Sequence, residues 1–425
     1  MPVRLPYSLL WLLALPLVLL RLVWRARRQP EYLHHVGERF GRYRPHTGGP
    51  LIWLHAVSVG ETRAAEPLVR AMLARWPEHR ILITHMTPTG RATSASLFGK
   101  ESRVLHAYLP YDLGTLAARF LHHFRPQLGV IMETELWPNL LAACERAGVP
   151  VMLANARLSE RSARRYARWP TLTRATLGAL RAIGAQTAAD AARLAGLGAR
   201  GVVQTGNIKF DILPPEAQLA LSGAFRARIG TRPVILAAST REGEEAPLVD
   251  AFLQHAPADA LLMLVPRHPQ RFDEVAALAA GRGATVQRRS DEQAVRGDTR
   301  VWLGDSMGEM FAYYAAADVA LIGGSWLPFG GQNLIEACAV GTPVVLGPHT
   351  FNFAQVAEQA EAAGAALRAT DADAGMRLAA ELLADEARRT AIGEAGLAFA
   401  QAHRGATART MAVIEPLLTA PPAAR

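Results

Sequence analysis

Several short stretches of the chain gather side chains able to move a proton or hold a phosphate. The first is HAVSVGET, residues 55–62, carrying His55, Ser58, Gly60 and Glu61 directly after an apolar run. Gly60 permits a tight strand-to-helix turn, which would set Glu61 at a helix start beyond the carboxyl edge of a sheet. A carboxylate there can act as general base toward an attacking hydroxyl. The positive end of the helix would hold it ionised at neutral pH, at some loss of basicity. The bland reading, a glutamate favoured in a first helical turn, fits the segment equally well. Thr84, Thr87, Thr89 and Gly90 follow in THMTPTGR, suited to sugar or phosphate contacts or simply to a capped helix start. ETELWPN places Glu133 and Glu135 beside Trp137 at a strand end. Two acids there are costly unless exposed or paired, which favours a site. Lys209 stands in TGNIKFD and is one of only two lysines, with Lys100.

The second half adds LVPRHPQRF, where two prolines stiffen a turn bearing Arg267 and His268, and a rigid arginine at a strand end suits phosphate. LGDSMGEM runs from Asp305 to Glu309 with Ser306 as a candidate N-cap, and its amides could hold a phosphate or a base. The densest stretch is IGGSWLPFGGQNLIEACAVGTPVVLGPHTFNF. Gly323 and Gly324 allow close backbone approach after a strand. Gly330, Gly331 and Asn333 would open a helix whose amides bind phosphate, with Glu336 placed to take ribose hydroxyls. Together these features point to nucleotide binding. No G-x-x-x-x-G-K-[ST] loop and no dinucleotide fingerprint is present. The one D-x-D, Asp371 to Asp373, reads as a helix cap, which disfavours a metal-bound diphosphate donor, and no cluster has metal-ligand spacing.

These segments need a scaffold that brings strand ends together. From Leu51 onward short apolar runs alternate with helical stretches, the pattern of a parallel sheet with crossover helices. One series runs from LIWLH to VVQTG, and a second from PVILAAS at Pro233 to AALRA near Ala365. The proline-rich ILPPEAQ near Ile212 is the linker between them. At 425 residues two domains are expected. The expected class is α/β with two facing Rossmann-like domains and a deep cleft, divided as 1–28 anchor, 29–212 acceptor domain and 213–425 donor domain with C-terminal helices.

The anchor is LPYSLLWLLALPLVLLRLVW, uncharged from Leu5 to Leu20 and close to the ~20 residues that cross a bilayer. Arg21, Arg25, Arg27 and Arg28 follow it, against Arg4 before it, so the bulk of the protein is expected on the cytoplasmic side. A cleaved signal peptide is the alternative, disfavoured by that arginine cluster. The net charge of +9 points to phosphates or anionic lipid head groups, and nothing in the chain resembles a nucleic-acid-binding motif. Arg157, Arg161 and Arg165, with Arg164, Arg168 and Trp169, form a stripe suited to anionic lipid or to a solvated helix face. Cys144 and Cys338 have no partner spacing, which fits a reducing interior.

HAVSVGE, ETELWPN, LVPRHP, GDSMGEM and the GGS/GG-x-N-x-x-E region together resemble one family over nearly the whole chain: the 3-deoxy-D-manno-octulosonic acid (Kdo) transferases of lipopolysaccharide synthesis. That resemblance implies a GT-B fold and inverting, metal-independent transfer of Kdo from CMP-Kdo to the glucosamine disaccharide of a lipid A precursor, lipid IVA, at the inner membrane, with no cofactor. It implies Glu61 as general base. It gives Arg267, Met307, Gly308, Glu309, Gly323, Gly324, Ser325, Asn333 and Glu336 to the CMP site, and Ser58, Gly60, Thr87, Glu133, Glu135 and Lys209 to the acceptor side. Gln332 and Arg241 depart from the family's usual histidines, which puts details of the donor site in doubt. The alternatives are another GT-B transferase or epimerase using a UDP-sugar, and a nucleotide-sugar binding module without catalysis.

Overall fold

The computed structural model describes residues 2–27, 29–46 and 48–419, so Arg28 of the basic cluster and the last six residues of the tail lie outside it. The chain divides into two compact units, Met1–Ile212 with Arg404–Arg425, and Leu213–His403. The first unit is built on β1 (Leu51–His55), β2 (Arg80–His85), β3 (Val104–Tyr108), β4 (Leu128–Met132), β5 (Val151–Ala156), β6 (Ala182–Ala185) and β7 (Val202–Gln204). They form one parallel sheet in the order β3-β2-β1-β4-β5-β6-β7. The second unit is built on β8 (Val234–Thr240), β9 (Leu261–Pro266), β10 (Val286–Arg288), β11 (Val301–Leu303), β12 (Val319–Ile322), β13 (Val344–Leu346) and β14 (Ala366–Arg368). Its parallel order is β10-β11-β9-β8-β12-β13-β14. Every strand falls on an apolar run of the two expected series.

Those runs are continuous rather than alternating because helices cover both faces of each sheet. All five residues of β1 are buried, with Leu51 and Trp53 in one cluster and Ile52 and Leu54 in the cluster on the other face. In each sheet the strand order reverses direction at one place, between β1 and β4 and between β8 and β12. Ligands of open parallel sheets bind beyond the carboxyl ends of the strands at such a point.

The expected division at the C-terminus is corrected. The final helix, Ala406–Thr419, belongs to the first unit: Ala406, Met411 and Ile414 share a core with Ile52, Leu54 and Leu68. The Asp211 carboxylate accepts from the Gly405 amide at 2.6 Å and also from the Thr407 amide. An apolar helix face does not specify in sequence which sheet it will cover. The N-terminal helix α1 (Leu5–Ala26) is long and apolar enough to cross a membrane. The arginine-rich helix Glu160–Ala167 has no buried residue and Trp169 is exposed, as on a solvated face.

Candidate functional site

In the first unit the chain leaves β1 at His55 and starts α2 (Val59–Arg75) with Ser58 as N-cap. The Glu61 amide donates to Ser58 Oγ at 3.4 Å, and the Ser58 hydroxyl donates to Glu61 Oε1 at 3.1 Å. The Val57 amide donates to Glu61 Oε2 at 2.7 Å. This near-reciprocal arrangement at a helix start resembles a capping box, so local geometry alone fixes where the carboxylate points. Its ionisation is set otherwise. Burial pushes the Glu61 carboxyl up to about 7, the Glu133 and Glu135 charges add to this, and the Val57 and Ser58 hydrogen bonds oppose it. Burial thus works against the ionised form that the helix end favours, and both forms of Glu61 are populated at neutral pH. A carboxylate titrating near neutrality is matched to base catalysis.

Gly60 does not make the tight turn expected of it. It lies within α2 without a positive φ, and an added Cβ would meet nothing closer than Ser58 Oγ at 3.9 Å. The crowded glycine is Gly90, whose Cβ would fall 3.1 Å from the Val57 oxygen. Thr87 caps α3 (Pro88–Phe98), accepting from the Gly90 amide at 3.1 Å and donating to the Val57 oxygen at 3.0 Å. The loops after β1 and β2 are thus locked together. His55 is fully buried against Thr84, and burial pushes its imidazole down to about 3, so it stays neutral.

Beyond β4, Glu133 adopts φ 56°, a left-handed conformation uncommon for a side-chain-bearing residue. Its Oε1 accepts from Lys209 Nζ at 3.0 Å. Burial raises the Glu135 carboxyl above the ordinary carboxylate range, with the nearby Trp137 indole opposing this and the Glu133 charge adding to it. Glu61 from the end of β1 and Glu133 and Glu135 from the end of β4 are therefore neighbours across the switch point.

In the second unit, Arg267 follows β9, its amide donating to the Thr240 oxygen at 3.0 Å. The His268 imidazole is held below its ordinary value by burial and then by Arg241, Arg267 and Arg271. Three guanidinium groups thus converge on this turn. Arg271 is committed to Glu245, at 2.6 and 3.2 Å, and Arg241 lies over the Phe329 ring at 4.7 Å. After β11, Met307 is exposed and Gly308 has φ 85°. Ser306 is not an N-cap, since the helix runs Met310–Ala316 from Glu309, and its hydroxyl bonds Glu309 Oε2 at 2.5 Å. The Glu309 carboxylate is turned to Arg289, at 2.9 and 3.0 Å, so its side chain is paired within the second unit.

After β12, a Cβ on Gly323 would lie 2.5 Å from the Ser239 oxygen, so this position admits only glycine, and Gly324 has φ 69°. Ser325, expected in the donor site, is fully buried: it donates to the Ile322 oxygen at 2.5 Å and accepts from the Gly347 amide at 2.8 Å. It ties the ends of β12 and β13 through hydrogen bonds directed inward. The helix expected to open at Gly330–Asn333 is confined to Ile335–Ala339, and a segment of five residues has little dipole. Asn333 Nδ2 donates to Glu336 Oε1 at 3.0 Å, which orients that carboxylate. Among the described residues no group of three or more His, Cys, Asp or Glu side chains could hold a metal ion.

Glu244 was not singled out in the sequence, yet it braces this region. Fully buried, it accepts from the amides of Arg241 (2.8 Å), Gly324 (2.7 Å), Trp326 (3.0 Å) and Leu327 (3.3 Å). The one available signal was a cluster of glutamates, Glu242, Glu244 and Glu245, in the turn after β8. Gln218 likewise clamps the Gly308 loop, donating to the Gly308 oxygen at 2.8 Å and accepting from the Phe311 amide at 3.0 Å.

Residues 34–212 match the family described as 3-deoxy-D-manno-octulosonic-acid transferase (kdotransferase), and residues 242–398 match glycosyl transferases group 1. The chain is 48% identical over 413 residues to 3-deoxy-D-manno-octulosonic acid transferase of Bordetella pertussis, covering 94% of this chain and 96% of that one. It is 37% identical over 421 residues to the Haemophilus influenzae protein of the same name, covering 97% and 98%. Among solved structures it resembles Anabaena HepE in complex with UDP (TM-score 0.60, 14% identity, 87% of this chain and 100% of that one). The UDP-GlcNAc 2-epimerase of Neisseria meningitidis is similar to the same degree (TM-score 0.59, 15% identity, 87% and 100%). At such identities these two structures speak for the two-domain α/β fold alone. The paired domain matches and near full-length relatives place this glycosyltransferase in the 3-deoxy-D-manno-octulosonic acid transferase family.

Proposed function

We propose that the chain transfers Kdo from CMP-Kdo to the glucosamine disaccharide of a lipid A precursor, lipid IVA, with inversion, without metal or cofactor, on the cytoplasmic face of the inner membrane. The observation that carries this is Glu61, a carboxylate with its pKa lifted to about 7 and its two oxygens oriented by Ser58 and Val57. As base it takes the proton of the acceptor hydroxyl while that oxygen bonds the anomeric carbon of Kdo. The bond from that carbon to the phosphate oxygen breaks, and CMP departs with the electron pair.

CMP carries a single phosphate, which arginines and backbone amides can balance without a cation. Arg267, in the turn where Arg241 and Arg271 also converge, is assigned to that phosphate. The amides of Met307–Glu309 and the Asn333–Glu336 pair complete the nucleotide site, with Gly323 and Gly324 giving it a close backbone floor. Glu133, Glu135 and Lys209 border the acceptor, Ser58 and Thr87 cap the helices beside it, and Gly60 lies in the first turn of α2. In the Glu61→Gln variant, CMP binding by calorimetry is expected to persist while transfer falls about 10²–10⁴-fold. Transfer at near wild-type rate would reduce Glu61 to a helix-start residue.

A further inference from the structure

The helix α1 has two unlike sides. Tyr7, Ser8, Trp11, Leu15, Val18 and Leu22 recur at helical spacing and are partly or fully covered. Leu10, Leu13, Leu17, Leu20 and Trp24 form the opposite stripe and are 66, 79, 69, 66 and 58% exposed. Arg21, Arg25 and Arg27, also exposed, cluster at the end of that stripe. A continuous apolar stripe ending in arginines is the pattern of a helix lying on an anionic bilayer.

The start of α1 is fastened to the first unit. The Tyr7 hydroxyl donates to Asp112 Oδ2 at 2.9 Å, and Asn139 Nδ2 donates to Ser8 Oγ at 3.1 Å. Asp112 is buried and also accepts from the Asn139 and Leu140 amides, so it is a fixed part of the fold. The Trp11 ring lies 6.0 Å from Tyr111, and Phe40, in the segment that leaves the helix, lies 5.5 Å from the same Tyr111. The start of α1 and the segment that follows its end thus both pack on Tyr111 of the first unit. From Tyr7 to Arg25 the helix rises about 27 Å at ~1.5 Å per residue, close to a bilayer core of ~30 Å. A spanning α1 would carry Tyr7 to the far side of the bilayer and strip Asp112 of its hydroxyl partner.

We infer that α1 lies in the plane of the membrane, its Leu10–Trp24 stripe sunk into the near leaflet, with both ends on the side of the first unit. The fastened end abuts the acidic loop: Trp11 packs 6.3 Å from Trp137, two residues after Glu135. The helix therefore sets the height of that loop above the leaflet from which a lipid acceptor would be drawn. The inference shares with the proposed function only the membrane location, and its test reads topology without any transfer reaction.

A Val3→Cys variant of the full chain reports the position of the N-terminal end, because the native Cys144 and Cys338 are buried. Inverted inner-membrane vesicles and right-side-out spheroplasts are treated with a membrane-impermeant maleimide. Labelling in the inverted vesicles alone is expected, and labelling from the outer face of spheroplasts would overturn the in-plane placement. The purified chain is also expected to float with phosphatidylglycerol vesicles and less with Leu13→Ser/Leu17→Ser. Flotation unchanged by that double substitution, or absent for the wild type, would mean that the stripe is not covered by lipid.

Discussion

Lys209 Nζ stands 3.0 Å from Glu133 Oε1, although the two residues are 76 positions apart. One of the chain's two lysines is thereby spent on one acid of the group beside Glu61. Glu133 also holds a left-handed backbone, and its charge is one of the causes that raise the Glu61 carboxyl. Burial is the first cause of that shift and the Glu133 charge the next, so a change at Glu133 bears on how Glu61 titrates.

With Glu61 lifted to about 7, kcat/KM is expected to rise with pH through about 7 as the base ionises, then to level. Glu133→Gln removes a raising charge, so the limb is expected to move to lower pH. A pH profile unchanged by Glu133→Gln would contradict the coupling. The same shift bears on stability. A carboxyl raised above its ordinary 4.5 costs nothing while protonated, and the cost grows as pH rises toward about 7. Glu61→Gln is therefore expected to gain on the wild type across that window, as read by thermal unfolding at pH 5 and 8.

Lys209→Met leaves the Glu133 charge uncompensated, and the limb is expected to move to higher pH by up to about one unit. Lys209→Arg should restore most of the wild-type profile, since a guanidinium can reach the same oxygen. Equal profiles for both variants would show that the contact does not govern Glu61.

Glu244→Ala removes the acceptor of four amides in a buried site. Unfolding is expected to become easier by about 3 kcal/mol. CMP affinity should fall with it, because the Gly324 loop loses its brace. Calorimetry with CMP, alongside thermal unfolding, separates the two effects.

Gly323→Ala drives a Cβ to 2.5 Å from the Ser239 oxygen and 2.7 Å from the Ala238 oxygen, and backbone cannot step aside cheaply. A loss of about 1–3 kcal/mol is expected. Gly60→Ala meets nothing closer than 3.9 Å within a helix and should be neutral or stabilising by up to about 1 kcal/mol. Melting temperatures of the two variants give the comparison.

The strands were legible because both faces of each sheet are covered, so runs such as LIWLH and PVILAAS stand out whole. The acids Glu61, Glu133 and Glu135 were legible as candidates because each stands in the turn or helix start that follows such a run. What could not be read were relations between distant residues: the Lys209–Glu133 contact, the return of Ala406–Thr419 to the first unit, and the burial that raises the Glu61 carboxyl. The burial of Ser325 was unreadable for the same reason. Its sequence neighbours are ligand-like glycines, while its hydrogen bonds run inward to Ile322 and Gly347.

The central claim is tested most directly by supplying the full chain in detergent with CMP-Kdo and a tetra-acylated lipid A precursor, following CMP release and the mass of the lipid. Release of CMP dependent on the lipid, with a lipid heavier by whole Kdo units, is expected. Absence of CMP release together with turnover of a UDP-sugar would contradict it.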